Sequence, residues 1–179
     1  MLEHEGQEVR GVLKELEQAD RFGLVVNVGL CVGATIAVNA LIFSLGWNNQ
    51  PAGVTRAPFA PPDFIVASVW VALVALLATA RWWLNASNDA AVTNAKGWVT
   101  LLFVSCLTWP LYSLATGSVF GGFLGCVLTV GIGVWTLRQI LRFADWKPSL
   151  AAPATLMVAP VIVWVAFATL IVARELRWL

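Results

Sequence analysis

Charge is what this sequence has least of. Asp, Glu, Lys and Arg together make up 12% of its 179 residues, about half the share of an ordinary soluble domain. That is too little polar side chain to cover a water-facing surface. The formal net charge is +1, which creates no long-range field to gather nucleic acid or acidic substrates, so no nucleic-acid partner is expected. Histidine is nearly missing, with His4 in the amino-terminal tail as the single example. The chain shows no metal-ligand spacing, catalytic triad or phosphate-binding loop, and no obligatory cofactor is expected. Cys31, Cys106 and Cys126 lie inside apolar runs, and an odd number cannot pair fully within one chain. They read as small, reduced residues at helix contacts.

What the chain has instead is long apolar sequence. Hydrophobic residues make up 59% of it, gathered into five stretches: Phe22–Leu45, Phe64–Leu84, Trp98–Thr116, Val119–Phe143 and Ala151–Ala173. Each approaches or exceeds the roughly 20 residues that a helix needs to cross bilayer hydrocarbon. Only helices and closed barrels satisfy their backbone groups in lipid, and barrel strands would alternate apolar with polar residues. These runs do not alternate. The expected fold is therefore all-α, a five-transmembrane-helix bundle over residues 22–179, preceded by an acidic amphipathic juxtamembrane segment over residues 1–21. In that segment Val9, Val12, Leu13 and Leu16 share a helical face. Its acidic character argues against docking on anionic lipid and for packing on the membrane domain. The first apolar run is too long for a cleavable signal peptide and is expected to stay as a span.

The distribution of Lys and Arg orients the bundle. Arg10, Lys14, Arg21, Arg81, Lys96, Arg138, Arg142 and Lys147 fall on the side of the amino terminus, against Arg56, Arg174 and Arg177 on the other. This predicts a cytoplasmic amino terminus, an outward-facing long loop Gly46–Asp63, and residence in the cell membrane. Arg138 lies within a span and is expected to reach toward the interface. No span carries Asp, Glu, His or Lys near its centre. Pumps and proton relays keep such groups there to titrate or bind ions, so those classes are excluded, as is ordinary acid–base catalysis.

Ten tryptophans are the positive signal. Trp47, Trp82, Trp83, Trp98, Trp146 and Trp178 sit at span ends, where an interfacial aromatic belt accounts for them. Trp70, Trp109, Trp135 and Trp164 lie well inside spans. At 1.5 Å per residue, Trp70, Trp109 and Trp164 fall roughly 9–13 Å below the outer end of their helices, sharing one layer under the long loop. They either fill the bundle core or wall a pocket. An indole N–H in hydrocarbon needs an acceptor, which a ligand or water would supply. Small residues give a second pattern. Gly29 and Gly33, continued by Ala37, mark the first span, and Gly117, Gly121, Gly125, Thr129 and Gly133 recur every four residues in the fourth. Such stripes let helices approach closely, within the bundle or across a homodimer seam.

The stretch RAPFAPPDFIVASVW, from Arg56 to Trp70, resembles the signature of the TspO/MBR family, the tryptophan-rich sensory or translocator proteins, which reads KPxWxPPxWxFxxVW. PVIVWVAFAT, from Pro160 to Thr169, is similar to its PYxxWxxFA motif, and TWPLY, from Thr108 to Tyr112, to its third-span WxxxF pattern. The resemblance covers roughly residues 22–179 and implies a five-helix bundle, commonly a homodimer. It further implies a pocket under the first loop that binds porphyrin, haem or sterol-like molecules, in a sensory, regulatory or transport role. Light-dependent porphyrin degradation is known in the family, and the resemblance assigns Trp70 and Trp164 to that chemistry. Trp109 and Ala168 match other pocket positions, Phe59 stands where the family has its loop Trp, and Pro61 and Pro62 match the loop diproline.

The departures share a direction. Besides Phe59, the usual Tyr after the second-span Trp is Val74, an Asn before the third-span Trp is Cys106, and the Tyr after the fifth-span Pro is Val161. The terminal Leu-Asn is Ile171-Val172, and the sterol-associated Tyr is missing. Pocket polarity has repeatedly been lost, and a lost hydrogen bond is a large term in discrimination. Porphyrin carboxylates would then fall to loop groups such as Arg56, Asn48 or Asn49, or the ligand is less polar. The competing reading is a structural or assembly protein whose pocket has collapsed.

Overall fold

A computed structural model describes residues 14–47 and 54–178. The apolar runs become five helices: α1 Arg21–Ser44, α2 Asp63–Leu84, α3 Ala90–Ser113, α4 Val119–Leu141 and α5 Pro148–Glu175. All five are long and apolar enough to cross a membrane, and no strand occurs among the described residues. The chain is an all-α bundle of five membrane helices, as its composition predicts.

Local chemistry sets the helix starts. Asp20 accepts the Gly23 N–H at 2.7 Å to open α1, and Asp89 accepts from Ala91 at 2.9 Å to open α3. Ser118 accepts from Gly121 at 3.0 Å to open α4. Each satisfies one of the donors that a helix start leaves unpaired. Pro148 opens α5, where its missing N–H costs nothing. The start of α3 corrects the sequence expectation. It begins at Ala90 rather than Trp98, so most of the stretch 85–97 between the two expected spans is helix. Asn94 and Lys96 are polar because they have partners, Gln139 and Glu17 respectively. Between α3 and α4 the chain reverses through Gly117 at φ 63, left-handed geometry that glycine adopts at little cost.

Four helices form a ring. α2 packs on α3 and α5, and α4 closes the circuit against both, while α1 lies outside the ring, mainly on α2. Packing is densest toward the amino-terminal end, where Leu84, Val92, Ala95, Ile140, Phe143 and Ala154 are fully buried. Residues 16–20 cap this end. The Leu16 carbonyl accepts from Asn27 Nδ2 at 3.1 Å, Arg81 Nη1 at 2.9 Å and Asn85 Nδ2 at 2.8 Å. Glu17 receives both Arg81 and Lys96. Burial opposes ionisation of Glu17, but the Lys96 hydrogen bond and the Arg81 charge outweigh it and hold the carboxyl below its ordinary value. Of the apolar face expected in this segment, Val9, Val12 and Leu13 lie outside the described residues.

The two small-residue stripes part company. A Cβ on Gly125 would stand 2.8 Å from Trp109 Cδ1 and run into the Tyr112 hydroxyl, and one on Gly133 would stand 2.6 Å from Ile162 Cγ1. The α4 stripe therefore serves packing inside the bundle. Gly29 and Gly33 would meet nothing within 4 Å, leaving the α1 stripe on the outer surface.

Candidate ligand cavity

At the end opposite the dense packing, the four-helix ring leaves space. A half-open cavity of about 240 Å³ lies among α2, α3, α4 and α5, walled by Trp70, Trp109 and Trp164 and bordered by Pro61 and Ala168. These residues, singled out from sequence on three helices and a loop, meet around one volume.

The three indoles differ in their polar edges. Trp109 Nε1 donates to the Gly122 carbonyl at 2.9 Å. A Cβ on Gly122 would lie at ordinary contact distance from Trp109 Cζ2, 3.5 Å, and closer to Ser113 Oγ, at 3.3 Å. The expectation that an intramembrane indole needs an outside acceptor is thus corrected for Trp109, whose partner is backbone on α4. Trp70 and Trp164 make no such bond. Among the described residues the fully buried polar side-chain atoms without a partner are Asn85 Oδ1 and Thr155 Oγ1. Neither indole nitrogen of Trp70 or Trp164 is therefore sealed in the packing.

Deeper in, Cys126 and Thr129 form part of the lining. The Thr129 hydroxyl is paired with Ser105 Oγ at 2.7 Å. The sequence marks Cys126 only as a small reduced residue at a helix contact and Thr129 only as a member of the α4 stripe, although spacings of four and seven residues put both on the face of Gly122. Phe167 also lines the cavity, with its ring 5.7 Å from that of Trp164. Phe59 does not line it. Its ring centre lies 6.3 Å from that of Phe167, and the residue is 47% exposed. Pro62 does not line it either, but its carbonyl accepts from Ile65 and Val66 to start α2.

The mouth is polar. Arg56 Nη2 meets Asp63 Oδ1 at 2.8 Å and also donates to the Pro61 carbonyl. Both charged groups are about half exposed, at 43% and 51%, so solvent screens the pair. Asn48 and Asn49, the other candidate loop groups, lie outside the described residues. A second cavity of about 220 Å³ lies between α1, α2 and α3, bordered by Asn39 and Cys106, and Trp70 and Trp109 also border it. The two indoles are thus a wall between two volumes. Trp135 lies far from both, with its ring edge-on to Trp98 at 6.0 Å. No cluster of metal-binding side chains occurs among the described residues, and Cys31, Cys106 and Cys126 are free thiols.

Fold and site together define a multispanning α-helical membrane protein with a tryptophan-walled cavity at one end of its bundle. The sequence model of the TspO/MBR family matches residues 25–177, nearly all of the membrane domain. The chain belongs to the TspO/MBR family. Comparison with curated proteins finds none that matches it.

Proposed function

We propose that this membrane protein binds a planar apolar ligand, a tetrapyrrole such as porphyrin or haem, or a sterol-like molecule, in the cavity beneath its first loop. Such binding would serve a sensory, regulatory or transport role. The observation that carries the reading is that Trp70, Trp109 and Trp164 line one cavity, while the indole N–H groups of Trp70 and Trp164, unlike that of Trp109, have no acceptor among the described residues. A donor left unpaired in an apolar site is costly, and a ligand heteroatom or a water held with the ligand would relieve it. Flat rings suit the remaining wall, since aromatic faces stack well on conjugated systems.

Size favours the second reading, a structural protein with a contracted pocket. At about 240 Å³ the cavity falls below the roughly 300–1,000 Å³ of small-molecule sites. A porphyrin would need the open mouth, or movement of the Trp70–Trp109 wall toward the neighbouring volume. Titration of purified protein with protoporphyrin, following tryptophan fluorescence, separates the two. Saturable quenching supports the ligand site, and no quenching at micromolar porphyrin supports the contracted bundle.

The same reading puts the amino terminus in the cytoplasm of a cell-membrane protein, on the Lys and Arg distribution. It assigns any homodimer seam to the open Gly29–Gly33 face of α1, since the α4 stripe is occupied internally.

A further inference from the structure

Near the amino-terminal end of the bundle, the outward face of α4 carries two arginines that no carboxylate answers among the described residues. The Arg138 guanidinium carbon sits 5.0 Å from the centre of the Trp135 ring. One turn on, Arg142 donates to an amide, Gln139 Oε1, at 3.2 Å. The ion pairs among the described residues leave both out. Glu17, the acid that draws cations at this end, is taken by Arg81 and Lys96. Asp89 is used as the cap of α3, and Asp145 is exposed and forms no ion pair.

This face is held firmly. Gln139 is 3% exposed and its Oε1 also accepts from Asn94 Nδ2 on α3 at 3.0 Å. The Thr136 hydroxyl is shared between the Ile132 carbonyl at 2.8 Å and the Trp98 carbonyl on α3 at 3.3 Å, and the Trp98 ring meets Trp135 edge-on. The α3–α4 seam thus fixes the base from which Trp135, Arg138 and Arg142 project, all exposed. At spacings of three and seven residues they share a helix face. They span about 10 Å along the axis, from inside the span at Trp135 to the end of α4 at Arg142. Long arginine stems can lie along apolar surface while their charged ends reach polar groups.

We infer that this face is a binding site for an anionic phospholipid headgroup. Its phosphate lies between Arg138 and Arg142, and its ester region lies on the Trp135 ring. Guanidinium and phosphate pair through parallel charge-assisted hydrogen bonds. A zwitterionic headgroup would bring an ammonium group against the same two cations, so anionic lipid is selected. One turn below Trp135, Gly131 has nothing within 4 Å of the place a Cβ would occupy, which leaves acyl chains a path along α4.

Native mass spectrometry of the full-length chain, titrated with phosphatidylglycerol or phosphatidylcholine, tests the assignment. Each cation near an anionic surface adds a factor of roughly 5 in affinity, so Arg138→Gln with Arg142→Gln should weaken phosphatidylglycerol binding about 30-fold. Phosphatidylcholine binding should hardly move. Arg21→Gln removes an exposed charge at the same end, off this face, and should leave the preference intact. Arg138→Lys with Arg142→Lys keeps the charge and should keep most of the preference, which decides the matter if the glutamine variant folds poorly. Loss of preference in the glutamine variant alone supports the site. Equal binding of the two lipids by wild type, an unchanged glutamine variant, or an equal loss in Arg21→Gln overturns it.

Discussion

Alanine at Gly125 and alanine at Gly33 make the same chemical change in two membrane helices and should have different consequences. At Gly33 the new methyl meets nothing within 4 Å. At Gly125 it arrives 2.8 Å from Trp109 Cδ1, well inside van der Waals contact. That indole cannot simply withdraw, because its Nε1 is tied to the Gly122 carbonyl at 2.9 Å. Overpacking of this kind costs about 1–3 kcal/mol. Replacing glycine in a helix returns up to about 1 kcal/mol, but that gain is common to both variants and cancels in their difference. Gly125→Ala should therefore unfold about 1–3 kcal/mol more readily than Gly33→Ala. The measurement is reversible unfolding in mixed micelles with rising SDS, read by far-UV circular dichroism. Stabilities equal within about 0.5 kcal/mol would refute the internal role of the α4 stripe and return it to the surface as a dimer seam.

The remaining expectations follow from individual contacts. Trp70→Leu and Trp164→Leu should each weaken porphyrin binding by roughly 5- to 150-fold, the range for loss of one stacked aromatic, while Trp135→Leu, distant from the cavity, should not; equal affinities in all three by fluorescence titration would remove the proposed wall. Asp63→Asn frees Arg56 at the mouth and should favour a dicarboxylate porphyrin over its dimethyl ester, whereas an unchanged ratio would take Arg56 out of recognition. Because the folded-state value of Glu17 is depressed from 4.5, its contribution is present above that pH and fades as pH falls through the folded value. Amides of residues 16–20 should then exchange faster at pH 3 than at pH 6 after intrinsic-rate correction, and Glu17→Gln should abolish that difference. In a cysteine-free background, Thr55→Cys should react with an impermeant maleimide from outside intact cells; reaction only after permeabilisation would invert the topology.

Much of this was readable before any coordinates, for identifiable reasons. Backbone satisfaction in lipid leaves a 20-residue apolar run few alternatives, so five helices followed directly. The start of α3 did not, because hydropathy marks hydrocarbon rather than helix. Beyond that layer Asn94 and Lys96 look like loop until Gln139 and Glu17 are seen beside them. Depth along each helix brought Trp70, Trp109 and Trp164 into one layer, since rise per residue is nearly constant. Which indole finds an acceptor depends on a carbonyl of another helix, and no one-dimensional pattern records that. The glycine stripes carried the same ambiguity. Their spacing announces close approach, but only Tyr112, Trp109 and Ile162 identify what approaches Gly125 and Gly133.

The mouth bears on how polar a ligand the cavity can accept. Of the family positions that have turned apolar, Ile171 and Val172 line the cavity, while Val74 and Cys106 border the second volume and Val161 borders neither; the loss at Ile171 and Val172 shifts recognition toward the rim. There Arg56 is already held by Asp63 and by the Pro61 carbonyl, so a ligand must compete for it. Yet a pair about half exposed on both sides contributes about 0–1 kcal/mol, and a bidentate ligand carboxylate competes on better terms. Displacement of Asp63 is then affordable, but the displaced carboxylate would still stand beside the ligand and repel a second negative charge. A ligand with one acidic group, or none, fits this rim better than one with two adjacent carboxylates. The interior selects for a flat apolar body by its indoles. The rim, with one arginine shared with one aspartate and with Glu175 also on the lining, limits how much negative charge that body can carry.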